Sequence, residues 1–429
     1  MRIDSVLAKI PQVEFWPKKN QLYGYDSIQG SHIEWTDHEL RNVLQDAFPD
    51  ADTPILSNWI TEIKARTCKK LSTFYPCLRF ERESDGDSSI LCNTFTGVLN
   101  CESKVVTPYD PKWKFSGRLL TIYVKDAIKT PEWEWVMGLM QEALPDEDIE
   151  LLLDACANCL IPDCRNETAL FCHGEGESAK STLVLCVLDS LYGAFARHLT
   201  LSQMCAKQDT TPAILLENAI VDIGSEVDNR EIRSTENFKR LVSGETITGR
   251  NLYDRQGEFA SFAKMFFLMN VFPKMNGGAA ENRRIRVIRF DKVIEKPDTS
   301  IKRKIVRPEI RNVIFSALVD RLPNVLNLSQ FRNGSAKSVE WQQKIYRAID
   351  RINACTEDCF EKQIGSRISD SDIDNRLIRW LHDNGYDPQY LLAFKRELYR
   401  QKGWETERFY PYKGSKLKDS FLVGYRLKD

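Results

Sequence analysis

The sequence predicts an α/β protein in three parts: a core of alternating strands and helices, an N-terminal α+β region joined to it by a helical collar, and a small winged-helix-like C-terminal domain. Three observations carry that prediction. Residues 169–182, ALFCHGEGESAKST, run from an apolar strand through a small-residue turn into LVLCVLDSLYGAF, whose apolar residues fall at helical spacing. Further apolar strand-like runs follow in NAIVDIG, FAKMFFLMN and RRIRVIRF, with helical or turn-rich stretches between them. From about residue 370, two segments of helical periodicity, DNRLIRWLHDNG and QYLLAFKRELYRQKG, precede a basic strand–turn–strand. The implied boundaries are 1–125 for the α+β region, 126–166 for the collar, 167–295 for the core, 296–368 for a helical lid or linker and 369–429 for the last domain.

At 429 residues the chain exceeds what one hydrophobic core organises. Its 42% hydrophobic and 28% charged residues exclude a disordered chain, and no apolar run approaches the ~20 residues that cross a bilayer. The first residues, MRIDSVLAKIPQVEF, lack the apolar stretch of a secretion signal, so the expected compartment is the cytoplasm of a host cell, with no membrane partner. A formal net charge of −1 means that nucleic-acid contact must come from local patches. Twelve cysteines are many for that compartment. Cys156, Cys159 and Cys164 give C-x2-C-x4-C, with Cys172 or His173 as a conceivable fourth zinc ligand, but the stretch reads as helix and no second C-x2-C pair follows. Reduced, partly buried thiols are the expectation there and at Cys68, Cys77, Cys92 and Cys101.

Taken in order, residues 1–60 mix aromatic and polar side chains, with a helix at WTDHELRNVLQDAF. Residues 61–125 shorten into alternating runs such as SSILCNTFTGVLNCESKVVTPYDPKW, which read as strands joined by tight turns. After Thr130 and Pro131 the period becomes helical in PEWEWVMGLMQEAL and DEDIELLLDACANCL, with Asp146 placed to cap the second helix. These two are either a collar leading into the core or ordinary packing helices.

The turn after the first core strand has the composition of a phosphate-binding loop. A polyphosphate needs several backbone N–H groups converging on it, and Gly174, Gly176, Ser178 and Ala179 keep side-chain bulk low. Lys180 is placed to reach the β- and γ-phosphates of ATP, Ser181 to ligate Mg²⁺, and the helix from Leu183 onward to add its N-terminal dipole. The pattern G-x-x-x-x-G-K-[ST] has Gly where this chain has Ala179, so that position must tolerate a Cβ. Glu175 and Glu177 are acidic in a loop meant for anions and are expected to face solvent.

Beyond the loop, residues 219–223 form an apolar strand interrupted by Asp222 and followed by Ser225 and Glu226. An acid at such a strand tip polarises the attacking water or holds Mg²⁺ through water, which makes Glu226 the candidate base. Ser225 stands where a second acid is usual, so metal binding falls to Ser181, with Asp222 a weaker candidate. A helix and a hairpin-like stretch then carry Lys239, Arg250, Tyr253 and Arg255, residue types suited to phosphate backbone and stacked bases, or equally to a solvated hairpin. Asn270 ends the next strand, and Arg283 and Arg284 enter the one after it; guanidinium groups suit phosphate clamping, especially from a neighbouring subunit.

The order of these motifs resembles the superfamily 3 helicases of the AAA+ class, specifically the phage, plasmid and poxvirus primase-helicase type. The resemblance rests on 174–182, 220–226, Lys239, 244–250, 264–270 and 283–290, and extends over roughly 70–295. It implies an AAA+ P-loop ATPase in a homo-hexameric ring, with ATP between subunits and single-stranded DNA in the channel, moving 3′ to 5′ at a replication fork. Lys180 and Ser181 would bind nucleotide and Mg²⁺ within a loop spanning Gly174, Glu175, Gly176, Glu177, Ser178, Ala179, Lys180, Ser181 and Thr182. Glu226 would activate water, Asn270 would sense the γ-phosphate, Arg283 or Arg284 would be the finger, and Lys239 with the Arg250–Arg255 hairpin would grip DNA. The chain is too short to hold a full primase domain as well, so a separate primase or polymerase is expected.

In the C-terminal third, VRPEIRNVIFSALVDRL reads as a helix able to close over the nucleotide. Between Leu391 and Lys428, ten Lys or Arg against four Asp or Glu, with eight aromatics interleaved, make a patch able to hold duplex DNA. The candidates are Lys395, Arg396, Lys413, Lys416 and Lys418; a protein-docking or solubilising face is the alternative. The expected function is replicative DNA unwinding for a virus, plasmid or mobile element. Its rivals are an ATP-switched replication initiator that recognises an origin without processive unwinding, and another P-loop ATPase such as a packaging motor.

Overall fold

The computed structural model describes the chain except for residues 1–2, 11, 17–20, 68–73, 83–87, 206–211, 226–231, 233, 250–256, 274, 276, 295–297, 410–418 and 429. It divides into two compact units. The first comprises 1–230, 234–273 and 283–342; the second comprises 231–233, 274–282 and 343–429.

A parallel five-stranded sheet organises the first unit. Its strands are β1 (Ala169–Gly174), β2 (Ala196–Arg197), β3 (Val221–Ser225), β4 (Lys264–Met269) and β5 (Ile285–Phe290), in the spatial order β5-β1-β4-β3-β2. β1 and β4 are buried along their whole length, which is why they read as continuous apolar runs and not as alternating ones. The third strand starts two residues later than the apolar run at 219–223 suggested, because Ala219 and Ile220 belong to the loop entering it. The order makes β1, β4 and β3 consecutive neighbours, so the chain leaves Gly174, Met269 and Ser225 at one end of the sheet, side by side. At the β5 edge, side chains satisfy free main-chain donors: Gln342 Oε1 accepts from Val287 N at 3.2 Å and Ser338 Oγ from Arg289 N at 2.8 Å.

Two helices precede β1. Pro131–Ala143 begins with Pro at its first turn, and Thr130 caps it by accepting from Trp133 N at 3.3 Å. Asp146–Asn158 departs from expectation, since Pro145 holds the cap position and Asp146 is already helical, with no capping bond. Its acids act elsewhere. Asp148 turns inward and accepts from Ser335 N (2.9 Å), Ser335 Oγ (2.7 Å) and Ser338 Oγ (2.9 Å). Asp154 takes Arg321 Nε at 2.6 Å and Arg332 Nε at 2.8 Å, binding the helix Pro308–Leu326 to its own.

The N-terminal region holds two antiparallel sheets with helices Asp37–Ala47 and Thr53–Thr67. One sheet joins Val13–Trp16, Gln21–Asp26 and Ser31–Trp35; the other joins Leu78–Arg82, Ser88–Thr94, Gly97–Asn100 and Val106–Thr107. Cys77, Cys92 and Cys101 of the second sheet share one continuous core with Cys156, Cys159 and Cys172 of the main sheet region. Burial pushes all six thiols up, so they stay protonated and apolar. Among the described residues no group of three or more His, Cys, Asp or Glu is placed to hold a metal ion, and no helix is long and apolar enough to cross a membrane.

The second unit runs helix Arg351–Cys359, strand Phe360–Ser369, helices Asp370–Asp383 and Leu391–Lys402, then strands Thr406–Phe409 and Asp419–Leu427. The last strand lies between the other two, antiparallel to both. Phe360, Trp380, Phe394, Leu398, Trp404 and Leu422 fill its core.

Lys264 shows how strictly the start of β4 is fixed. Its buried ammonium donates to the carbonyls of Ile161 (2.8 Å), Asp163 (2.6 Å) and Phe262 (2.8 Å). Lys264→Met leaves these acceptors unpaired in the interior and should lower the unfolding free energy by about 2–4 kcal/mol in urea titration; a loss under about 1 kcal/mol would mean that water takes over their bonds.

Candidate functional site

The turn after β1 takes the shape of an anion-binding loop, with an unusual device at two positions. Glu177 and Ala179 both adopt left-handed backbone, with φ of 62° and 65°. Ala179 stands where the common pattern has glycine, and the loop bears the cost of its Cβ, about 1 kcal/mol. Gly174 is demanded by close approach, since a Cβ there would lie 2.4 Å from the Phe290 carbonyl oxygen; one at Gly176 would meet open space. The glutamates at 175 and 177 are exposed, as expected of acids around an anion site. Lys180 is largely buried, and its ammonium donates to Gly174 O (2.6 Å), Glu175 O (2.6 Å) and Ser178 Oγ (3.0 Å). Desolvation holds its pKa below the ordinary lysine value. Ser181–Cys186 then winds as a π-helical turn before the α-helix Val187–Tyr192, where uninterrupted α-helix was expected.

A cavity of about 880 Å³ opens on this loop. Gly176, Glu177, Ser178, Ala179, Lys180, Ser181 and Thr182 form its floor, and Ser225 and Asn270 reach it from the tips of β3 and β4. Its other wall was not legible beforehand: Leu139 and Glu142 come from the helix Pro131–Ala143, Ile301 and Lys302 from the helix Ser300–Ile305, with Ile294 and Asp298 between. The helix expected to close over the site, Pro308–Leu326, contributes no lining residue. The size suits a nucleoside triphosphate, and one end offers donors for phosphate while the other offers apolar surface for a base.

Other candidates lie elsewhere. Asp222 is fully buried inside β3, one position out of phase with Ser225, and accepts Leu199 N at 2.9 Å. Burial raises its carboxyl to about 8, which makes it a neutral acid at pH 7 and sets it apart from the cavity lining. Arg284 is only 7% exposed and donates to Ser243 Oγ at 2.7 and 3.1 Å, with Glu167 at 3.3 Å. Arg283, 61% exposed, approaches only the rim of Glu167 at 3.5 Å. Lys239 lies half-buried on the helix Glu236–Val242. Strands Ile247–Gly249 and Gly257–Phe259 pair as the base of the expected hairpin, whereas Arg250, Tyr253 and Arg255 lie outside the described residues, as do Glu226, Lys413, Lys416 and Lys418. Lys395 donates to Asp374 (2.6 Å) and pairs with Asp370 (3.1 Å), so its charge is already matched, while Arg396 beside it is exposed.

His173, immediately before Gly174, reads in the sequence only as a conceivable zinc donor. Its Nδ1 accepts from Arg289, and its ring stacks on Trp341 at 4.2 Å. Desolvation, then the charges of Arg289 and Lys180, depress it to about 4, so it is neutral.

Fold and site together define an α/β protein whose parallel sheet presents a phosphate-loop-like turn at the mouth of a nucleotide-sized cavity. No family model matches the chain, and no curated protein sequence does. Among solved structures, the chain is similar to apo structures of the NrS-1 C-terminal region. One superposes with a TM-score of 0.55 at 14% identity and another with 0.53 at 12% identity, each comparison covering 98% of both chains. At such identities the likeness is one of fold, and it extends over both compact units.

The raised pKa of Asp222 has a signed consequence. The native state keeps a proton that the unfolded chain releases above its ordinary value of 3.8, so stability falls as pH rises from there to about 8 and then levels off. Asp222→Asn removes that slope: the Tm difference between variant and wild type should grow in the variant's favour from pH 5 to pH 8, whereas a difference constant over that range would mean that Asp222 is ionised in the native state.

Proposed function

We propose that this chain is an ATP-dependent DNA helicase of the AAA+ superfamily 3 type, working as a homo-hexameric ring on single-stranded DNA in the replication of a virus, plasmid or mobile element. The observation that carries the reading is the convergence of Lys180, Ser181, Ser225 and Asn270 on one cavity, from a loop and two neighbouring strand tips.

In this reading Lys180 exchanges its loop carbonyls for the β- and γ-phosphates, an exchange favoured because the carbonyls are neutral and the phosphates charged. Ser181 offers its hydroxyl to Mg²⁺, the ion that neutralises charge developing on the phosphates. Glu226, next in the chain after Ser225, takes a proton from the attacking water, and the Asn270 amide meets the γ-phosphate. Leu139, Leu183, Ile294 and Ile301 hold the base by apolar contact. Arg283 is the better finger of the two arginines, because Arg284 is committed within its own subunit. Lys239 and the basic and aromatic residues Arg250, Tyr253 and Arg255 grip DNA.

The second unit favours a supplementary reading. Its order of helix, strand, two helices and two strands, with the last strand central, supports reading it as a winged helix, in which Leu391–Lys402 would be the helix offered to duplex DNA, with Arg396 on its exposed side. An origin-binding initiator would use the same unit. A separate primase or polymerase supplies primers in either case.

ATPase activity should rise with single-stranded DNA, and fall roughly a thousandfold in Lys180→Ala and Glu226→Gln. Glu226→Gln should still bind nucleotide where Lys180→Ala does not. Arg283→Ala should lower turnover without lowering Tm, and Arg284→Ala should do the reverse. Activity surviving both Lys180→Ala and Glu226→Gln would remove the site assignment, and strand displacement from a forked duplex separates helicase from initiator.

A further inference from the structure

We propose that Glu142 binds the ribose of the nucleotide, its carboxylate accepting from the 2′- and 3′-hydroxyls, so that the cavity selects ribonucleotides over deoxyribonucleotides. This rests on the nucleotide-site reading above. Among the described residues, the acids lining the cavity are Glu142, Glu177 and Asp298. Asp298 is committed: one carboxylate oxygen accepts from Ser300 N and the other from Ser300 Oγ, each at 2.8 Å. Glu177 belongs to the phosphate loop itself, where its left-handed backbone turns the carbonyl to accept from Ile294 N at 3.0 Å. Glu142 is exposed, and its carboxylate has no hydrogen-bond or ion-pair partner among the described residues.

Its place on the wall matches a sugar. Leu139 and Glu142 stand on one face of the helix Pro131–Ala143, and both reach the cavity. The last turn of that helix is tied towards the phosphate loop: Gln141 O accepts from Lys292 Nζ at 3.1 Å, and Ile294, two residues further on, makes the bond to Glu177. Glu142 therefore lies on the loop side of Leu139, about 4.5 Å further along the helix axis, roughly the width of a sugar ring. A nucleotide with its phosphates on the loop and its base against Leu139 and Ile301 carries its ribose past Glu142. An ionised carboxylate only accepts, and its two oxygens suit the two hydroxyls of a ribose diol. Because the acceptor is charged, each such bond is stronger than one between neutral groups, and deoxyribose forfeits one of them.

Calorimetric titration of the full chain with ADP and with 2′-deoxy-ADP, both in Mg²⁺, tests this without turnover. Wild type should bind ADP roughly tenfold more tightly than 2′-deoxy-ADP. Glu142→Ala should weaken ADP by roughly tenfold and 2′-deoxy-ADP by no more than about twofold, so that the preference nearly disappears. Equal affinities in the wild type, an unchanged preference in Glu142→Ala, or an equal loss of both nucleotides in that variant would overturn the proposal. GDP bound more tightly than ADP by the wild type but not by Glu142→Ala would put the carboxylate on the base edge, and would overturn it too. Lys180→Ala separates this proposal from the reading beneath it. If that variant binds neither nucleotide while Glu142→Ala keeps the wild-type preference, the ribose assignment alone fails; if it binds both as the wild type does, the nucleotide-site reading fails and the ribose assignment with it.

Discussion

Strand β1 is held in parallel register by a neighbour on each side, and the cavity follows from that constraint. Parallel strands discharge their following loops at one end of a sheet, so three consecutive neighbours deliver Lys180, Asn270 and Ser225 to one place without any contact designed between those residues. The tightest point is where Gly174 meets the Phe290 main chain; any side chain at 174 would push β1 off β5 and the loop with it. Gly174 is thus a packing requirement first, and Gly176, with open space around it, leaves room on the side where phosphate would approach.

Charge placement sorts the ionisable residues into two kinds. Asp148, Asp154 and Arg284 are buried and matched by side-chain partners, so they hold elements together. Lys180 is buried as well, but its partners are carbonyls and a hydroxyl, which satisfy its N–H groups without neutralising its charge. Lys264 is satisfied by carbonyls in the same way; what sets Lys180 apart is that it lines the cavity, where an anion can reach it. Arg283 differs again: exposed on a strand entry, it is available beyond its own chain.

Much of this was legible in the sequence because the core strands are apolar on both faces and the loop has a rare composition. The four long core strands, the paired helices before β1 and the two helices after residue 370 could be read from period and turn residues. What could not be read depends on distant contacts. Asp222 looks like a metal ligand in NAIVDIG, since alternation along a strand cannot say which face meets the cavity. Likewise Lys395 looks like a free basic residue until Asp370 and Asp374 fold onto it. The cavity wall from Ser300–Ile305 was missed because so short a helix carries almost no periodic signal, and the N-terminal three-stranded sheet because its strands are short and mixed. His173 was unreadable as a partner of Arg289, for nothing in sequence brings 173 beside 289.

The most direct measurement is the structure of the chain with Mg²⁺ and a non-hydrolysable ATP analogue. The account predicts the triphosphate lying along the loop, with the γ-phosphate within hydrogen-bonding distance of both Lys180 Nζ and the Asn270 amide and the metal on Ser181 Oγ. A nucleotide bound elsewhere, or a γ-phosphate out of reach of Asn270 while Lys180 stays on its loop carbonyls, would contradict it.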